Sequence, residues 1–167
     1  MSIVGGARIV LSDIGQAADA STPSKMVGSR DGLAAVAEGM RASCGSGRVS
    51  TLACDVRCPD EVQALVEFAV AEHGSLDIWI NNARIGYLMK PLLDVTSEDW
   101  NAVIAVSLSG AFVGLQATAR MMVAQGRGAR IVNSASQAAK PGFPTRSDAA
   151  GYIPAESLNV SGGEEPH

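Results

Sequence analysis

Apolar and polar residues alternate along this chain with two periods, one typical of β-strands and one typical of α-helices. Four short apolar runs predict strands: 7–14, 48–55, 76–80 and 129–133. Three segments with apolar residues at helical spacing predict helices: 32–43, 59–73 and 97–125. Strands and helices in alternation are typical of a parallel sheet that carries helices on both faces. We therefore predict an α/β fold.

Local sequence signals predict the ends of two of these helices. Pro59 and Asp60 stand in the first turn of one, where the missing N–H of proline and the negative charge of aspartate both suit the helix start. Gly74 is expected to end that helix. Thr96 and Asp99 resemble a capping box with aspartate in place of glutamate, which predicts the start of the long helix.

The organisation of the chain changes near its carboxyl end. A length of 167 residues suits a single domain. Residues 15–31 have no apolar period and predict a loop. Residues after about Arg146 have no sustained period either, and they finish in Gly, Glu and Pro. We therefore predict one partial domain over residues 1–146 and an irregular tail over residues 147–167.

Composition excludes several classes of partner. The chain has 13 Lys and Arg against 17 Asp and Glu, a net charge of −4, so we expect neither nucleic acid nor an anionic membrane as its partner. No run is long enough to predict a membrane span, and no basic start precedes an apolar stretch at the amino end. These observations favour a cytoplasmic protein.

Cysteine and histidine usage gives no sign of a metal site. Cys44, Cys54 and Cys58 are odd in number and lack CxxC spacing, which predicts free thiols in a reducing compartment. His73 and His167 are far apart in the sequence, and neither has a cluster of possible ligands around it. We expect no bound metal.

Polar side chains stand where the predicted strands end. They are Asp13, Asp55, Asn81, Asn82, Ser134 and Ser136. The carboxyl ends of parallel strands meet at one edge of a sheet, and open α/β sheets bind their ligands there. At such an edge the hydroxyl of Ser136 could polarise a substrate carbonyl. We therefore expect these side chains to contribute to one site.

Each of these residues, taken alone, has a second interpretation. Asp13 suits the hydroxyls of an adenosine ribose and would repel a 2′-phosphate, but it also suits a helix cap. Asp55 could accept a hydrogen bond from an adenine amino group, or it could cap the helix that starts at Pro59. Asn81 and Asn82 could be a turn pair, or Asn82 could tie its strand end to a neighbouring backbone.

Several segments together resemble the short-chain dehydrogenase/reductase family. They are "ARIVLSDI", "LACDV", "LDIWINNA", "DVTSEDWNAVIAVSLSGAFVGLQA" and "GARIVNSASQAAKPGFP", in the family's order and at similar separations. The resemblance covers most of the chain from 7 to 144. It implies a Rossmann-like fold and hydride transfer between a nicotinamide cofactor and a small-molecule alcohol or ketone. It also implies that helix 97–125 pairs subunits, so we expect a homo-oligomer.

The resemblance implies a role for each matching residue of the cofactor site. Asp13 matches the acid that holds the adenosine ribose and favours NAD over NADP. Asp55 and Val56 match the pair that contacts the adenine. Asn82 and Ala83 match the "NNA" signature, in which the asparagine steadies the sheet and the alanine lies beside the nicotinamide ribose.

The resemblance also implies two catalytic residues, Ser136 and Tyr152. The serine would orient the substrate, and the tyrosine would act as general acid and base, with its pKa lowered by a nearby lysine and by the cofactor. In this chain the family's Tyr-x-x-x-Lys appears only as "YIPAE", with Glu156 at the lysine position. A carboxylate there would raise the pKa of a neighbouring phenol, and Pro154 would disturb the helix that presents the pair.

Other positions depart from the family pattern as well. The catalytic asparagine falls at Ser107, and the glycine after "NNA" is Arg84. The glycine-rich phosphate loop and its strand would lie before residue 7, where "SIVGG" is too short to supply them. That strand is the central one in the sheet order 3-2-1-4-5-6. We therefore expect a chain that lacks the first βα unit and the carboxyl-terminal part, with two strand pairs whose inner edges are unpaired.

Three hypotheses follow. The chain is by descent an NAD-linked oxidoreductase, with activity impaired by these departures. Alternatively, it is a non-catalytic remnant of such an enzyme that associates through helix 97–125, or a nucleotide-binding module that keeps the contacts of Asp13 and Asp55. Turnover of a secondary alcohol with NAD favours the first hypothesis, no response to nucleotide the second, and binding without turnover the third.

Overall fold

A computed structural model describes residues 6–15, 30–85 and 92–134 of the chain. Its strands are β1 (Ile9–Asp13), β2 (Val49–Ala53), β3 (Ile78–Asn81) and β4 (Arg130–Asn133). Its α-helices are α1 (Arg30–Cys44), α2 (Pro59–His73), α3 (Ser97–Ile104) and α4 (Ala111–Gln125). A π-helical segment, Ala105–Gly110, joins α3 to α4. Short 3₁₀ turns lie at Ser46–Arg48 and Leu92–Asp94. The α/β fold is therefore confirmed.

All the predicted strands and helices occur in this order, and α2 agrees with its prediction at both ends. The predicted long helix, 97–125, is one helical run that the π segment interrupts, which the sequence did not indicate. Most of the predicted loop 15–31 and the whole predicted tail 147–167 lie outside the described residues, so the domain boundary stays a prediction.

Local chemistry explains where α2 and α3 begin and end. Pro59 occupies the first turn of α2, and Gly74 ends the helix with a positive φ of 82°, donating its N–H to the Val70 carbonyl over 2.7 Å. At α3 the Asp99 N–H donates to Thr96 Oγ1 over 3.1 Å, and the Thr96 N–H donates to Asp99 Oδ2 over 3.0 Å. The predicted capping box is therefore confirmed.

The strands form two separate parallel pairs within the described part of the chain. β1 pairs with β2 in a register that runs from Ile9 opposite Val49 to Asp13 opposite Ala53. β3 pairs with β4 up to Asn81 opposite Asn133. Two separate strand pairs were predicted from the sequence, and the described residues contain them.

One core unites the two strand pairs. Its centre is formed by buried residues of α2 and α4, including Val62, Val66 and Met122. Both pairs contribute half-buried side chains to the same cluster: Val10 and Leu52 from the first pair, Trp79 and Ile131 from the second. The two pairs therefore hold one position relative to the same helices, although no strand among the described residues joins them.

The two pairs differ in how their faces are covered. α1 packs on β1 and β2. Because side chains alternate along a strand, Val49 faces away from Leu52, and α1 therefore covers the face opposite the core. On the second pair Ile78, Ile80 and Val132 are exposed on the face away from the core. Helices on both faces are thus found for the first pair, and the described residues cover only one face of the second.

A side-chain amide ties the end of α4 to the start of the second pair. Gln125 Nε2 donates to the Leu76 carbonyl over 2.9 Å, and its Oε1 accepts from the Leu76 N–H over 2.9 Å. Next to this tie Arg127 pairs with Asp77 over 2.5 Å. The amide of Gln125 thus pairs with the backbone of Leu76 as a neighbouring strand would.

The helical run Ser97–Gln125 is long and apolar enough to cross a membrane, with a mean hydropathy of 1.7 over its most apolar window. The expectation that no run reaches that length is therefore wrong. Core helices of soluble proteins meet the same criteria. In this run Ala117, Thr118 and Met122 are buried against the rest of the chain.

Candidate functional site

The carboxyl ends of both strand pairs pack against two glycines of the long helical run. Gly110 and Gly114 lie one turn apart and are both buried. A Cβ on Gly110 would lie 2.6 Å from Cγ2 of Val56, and a Cβ on Gly114 would lie 2.5 Å from Oδ1 of Asn81. Positions four apart on a helix are only about 6 Å apart. The segment after β2 and the end of β3 therefore meet on one short stretch of helix.

Asp13 and Asp55 lie at the ends of the first pair. The Cys54 N–H donates to the Asp13 carbonyl over 3.0 Å, so the pairing continues one residue past β2, and Asp55 follows directly. The side chain of Asp13 is exposed, and that of Asp55 is half-buried. Two neighbouring strand ends thus present carboxylates close to the place where Val56 packs on Gly110.

Arg57 holds the carboxylate of Asp55. The Arg57 side chain donates to both carboxylate oxygens, with an Nη2–Oδ2 distance of 2.6 Å, and the Arg57 N–H donates to Oδ1 over 2.9 Å. These hydrogen bonds lower the pKa of Asp55 below its ordinary value of 3.8, against an opposing effect of burial. The N-cap of α2 is Cys58, so the alternative interpretation of Asp55 as that cap is wrong.

Asn81 joins the ends of the second pair to α4. Its Oδ1 accepts from the Trp79 indole N–H over 2.6 Å, and its Nδ2 donates to Asn133 Oδ1 over 2.8 Å and to the Ala111 carbonyl over 3.3 Å. The tie to a neighbouring backbone, which the sequence assigned to Asn82, is made by Asn81. Asn82 is exposed next to it and forms no side-chain hydrogen bond with another described residue.

The structure brings Asp13, Asp55 and Asn82 to one edge of the molecule, as the sequence predicted. Val56 and Ala83 lie there with them, Val56 half-buried and Ala83 exposed. The ligands of all five residues remain predictions.

The candidate catalytic residues Ser136 and Tyr152 lie outside the described residues, as do Pro154 and Glu156. Ser134 is the last described residue before them. It is exposed, and its N–H donates to the Asn81 carbonyl over 3.0 Å. Arg84 is exposed after β3, and Ser107 is exposed within the π segment.

Cys54 lies beside the first pair of strand ends without the properties of a nucleophile. Burial, followed by the charges of Glu61 and Asp55, raises its pKa to about 11, and a hydrogen bond with Ser12 opposes the rise only in part. The thiol is therefore neutral near pH 7, and the reactive form is the thiolate. Within the described ranges no group of three His, Cys, Asp or Glu side chains is placed to hold a metal ion.

Sequence reasoning missed the residues that assemble this edge. They are Arg57, Trp79, Gly110, Gly114 and Asn133. Two signals could have found some of them. Gly110 and Gly114 have the four-residue spacing of small residues that lets a helix approach a neighbour closely. Trp79 and Asn81 must point to the same face of β3, because alternate residues of a strand do.

Comparisons with known proteins agree with this geometry. A family model described as short chain dehydrogenase matches residues 16–148. D-threitol dehydrogenase of Mycolicibacterium smegmatis is 40% identical over 105 residues, which are 62% of this chain and 40% of that protein. The chain spans about two fifths or less of the length of the curated relatives it matches.

Solved structures give the same result. A short-chain dehydrogenase/reductase from Burkholderia phymatum, in complex with NAD, matches with a TM-score of 0.68 and 28% identity, over 84% of this chain and 44% of that one. A metagenomic short-chain oxidoreductase in complex with NADP matches with a TM-score of 0.64 and 29% identity, over 87% of this chain and 58% of that one. Since the family model covers most of the sequence, this chain belongs to the short-chain dehydrogenase family.

Proposed function

We propose that this chain serves NAD-linked oxidoreduction of small alcohols and ketones in the cytoplasm. One observation carries the proposal: Val56 and Asn81 pack on adjacent turns of one helix. The carboxylates of the first strand pair and the polar residues at the carboxyl ends of the second pair therefore lie at a common edge. Parallel α/β sheets bind dinucleotides at such an edge. The residues at this edge come from several segments of the chain, so different residues are available to the two halves of the cofactor.

The choice of cofactor rests on Asp13. Its exposed carboxylate ends β1 and is available to accept hydrogen bonds from both hydroxyls of an adenosine ribose. The same charge would repel the 2′-phosphate of NADP. Similar proteins have been solved with either NAD or NADP, so the family alone does not decide between them. The carboxylate favours NAD.

The adenine base is assigned to Asp55 and Val56. Arg57 fixes the orientation of the Asp55 carboxylate through four hydrogen bonds, about as many as an ionised carboxylate accepts, so the adenine amino group would take the place of one of them. Val56 supplies a half-buried apolar surface next to it. Its position is set by contact with Gly110.

The chemical step is assigned to residues that follow β4. The bound nicotinamide would supply or accept the hydride at the substrate carbon. Ser136 would hold the substrate oxygen, and Tyr152 would give or take the proton of that oxygen. Glu156 stands where a cation would lower the pKa of the tyrosine, so we expect slow proton transfer and low turnover even where cofactor binds.

The substitution Asp13→Asn tests the cofactor assignment. It removes the charge and keeps the size of the side chain. We expect NADH affinity, measured by calorimetry, to fall by a factor of about ten to a hundred, because a hydrogen bond to a charged group stabilises by about 1.5–3 kcal/mol and about 1.4 kcal/mol is tenfold. The preference for NADH over NADPH should be lost as well.

The control is Asp94→Asn, which makes the same charge change at another exposed position. It should bind NADH as the parent chain does. An unchanged preference in Asp13→Asn would contradict the assignment. Binding of NADH without turnover of any secondary alcohol would favour the nucleotide-binding module over the enzyme.

The substitution Arg57→Gln tests the state of Asp55. A carboxyl whose pKa is lowered on folding contributes stability above its unfolded pKa, and this contribution is lost as the pH falls through the folded pKa. At pH 7 we expect the free energy of unfolding to fall by about 0.5–1 kcal/mol, since Arg57 is 47% exposed and such pairs are screened by solvent. The difference from the parent chain should close in acid, below the folded pKa.

Denaturant unfolding from pH 7 down to pH 2.5 measures that difference. Arg120→Gln removes an equally positive side chain from an exposed position on α4, and its effect should not depend on pH in this range. If the Arg57→Gln difference remained constant to the lowest pH, Arg57 would not be stabilising the ionised form of Asp55.

A second candidate function, association of the chain with itself, is favoured by the outer face of the long helical run. Its large apolar side chains are exposed along several turns: Trp100, Leu108, Phe112, Leu115 and Val123. Patches of this kind on soluble proteins mark interaction sites. We propose that this face pairs two copies of the chain.

The substitution Phe112→Lys tests the pairing. Phe112 is 59% exposed and lies near the middle of the face, where a charge would have to be buried in a dimer. We expect the parent chain to sediment as a dimer and the variant as a monomer. Val36→Lys, at a residue 56% exposed on α1, should leave the dimer intact. A monomeric parent chain, or equal effects of the two substitutions, would contradict the proposal.

A further inference from the structure

Two side-chain amides tie α4 to β3 from opposite ends. Gln125, at the end of α4, pairs with the backbone of Leu76 just before β3. Asn81, at the end of β3, donates to the carbonyl of Ala111 at the start of α4. The helix and the strand therefore run in opposite directions and are fixed at both ends. Only the Asn81 tie lies at the edge that carries the candidate cofactor residues.

The Asn81 tie is also the more extensively connected of the two. The amide accepts from the Trp79 indole over 2.6 Å and donates to Asn133 over 2.8 Å, besides its bond to Ala111. An amide NH₂ group has two hydrogens to donate, and two acceptors use both of them here. Asn81 and Trp79 also pack so closely on Gly114 that a Cβ there would lie 2.5 Å from Oδ1 of Asn81 and 3.0 Å from Nε1 of Trp79.

Three segments take their positions from this one amide. The chain leaves β3 at Asn82 and Ala83, and it leaves β4 at Ser134, immediately after Asn133. The third segment is the π helix, which ends at Gly110 and carries the exposed Ser107. The exits of β3 and β4 lie on the side of the edge away from Asp13 and Asp55, where the proposed function puts the nicotinamide half of the cofactor, whereas the end of the π helix contacts Val56.

We propose that Asn81, oriented by Trp79 and Asn133, is a positioning residue for the nicotinamide half of the cofactor site. Gln125 is a structural tie alone. The proposal rests on the proposed function and adds separate roles for two parts of the site. The Asp13 end binds adenosine independently of Asn81. The hydrogen bonds of Asn81 determine whether the nicotinamide is also bound.

The test compares NADH with ADP-ribose, which has the same adenosine and both phosphates but no nicotinamide. Affinities for both are measured by calorimetry on the full 167-residue chain. We expect the parent chain to prefer NADH. In Asn81→Ala that preference should fall about tenfold, the effect of losing one or two hydrogen bonds, with ADP-ribose affinity unchanged. Asn133→Ala should act in the same direction.

Gln125→Ala is the matched control, because it removes an amide tie between the same helix and the same strand. It should lower the free energy of unfolding and keep the preference for NADH. Equal changes in preference in Asn81→Ala and Gln125→Ala would show that Asn81 is structural only and would overturn the inference. A parent chain that binds both ligands equally would overturn it too. A parent chain that binds neither would refute the proposed function itself.

A spectroscopic measurement avoids substitutions that could prevent folding. The chain has only two tryptophans, so Trp100→Phe leaves Trp79 as the single reporter, in direct contact with Asn81. We expect NADH to change the emission of Trp79 and ADP-ribose to leave it unchanged. An equal response to the two ligands would contradict a role in the nicotinamide half.

Discussion

The close contact of one helix with two strand ends determines the rest of this structure. Gly110 and Gly114 have no side chain to keep the helix away, and so Val56 and Asn81 fit directly against its backbone. No strand joins β1 and β2 to β3 and β4 among the described residues, so the relative position of the pairs depends on helices. Packing on the shared core of α2 and α4 keeps both strand pairs against the same helices. The contacts at the two glycines then bring the polar carboxyl ends of the pairs together.

The sequence predicted what local chemistry determines. Proline and acidic residues predicted the start of α2, and glycine predicted its end. Thr96 and Asp99 predicted the start of α3. These predictions were possible because capping depends on residues that are close in the sequence. The polar edge was also predictable, since strands in parallel pairs end on the same side. The two separate strand pairs of the described residues were expected from the family's strand order.

Long-range contacts were not predictable in the same way. The choice of Asn81 over Asn82 as the bridging amide depends on which face of β3 meets α4, and both residues look alike in the sequence. Arg57 could have been recognised as a partner of Asp55 only from the conformation of the turn between them. The π segment arises inside a largely apolar helix that contains no proline, and its Ser109 and Gly110 do not by themselves predict it. These features determine most of the local geometry of the candidate site.

Replacement of the two glycines tests the central contact most directly. Gly39 of α1 has open space where a Cβ would be, so Gly39→Ala should raise the free energy of unfolding by about 0.5–1 kcal/mol. Gly110→Ala and Gly114→Ala force the helix away from Val56 and Asn81, and each should lower it by about 1–3 kcal/mol. If all three alanines stabilised the chain equally in denaturant unfolding, the helix would not lie against the strand ends, and the assembled edge would not exist.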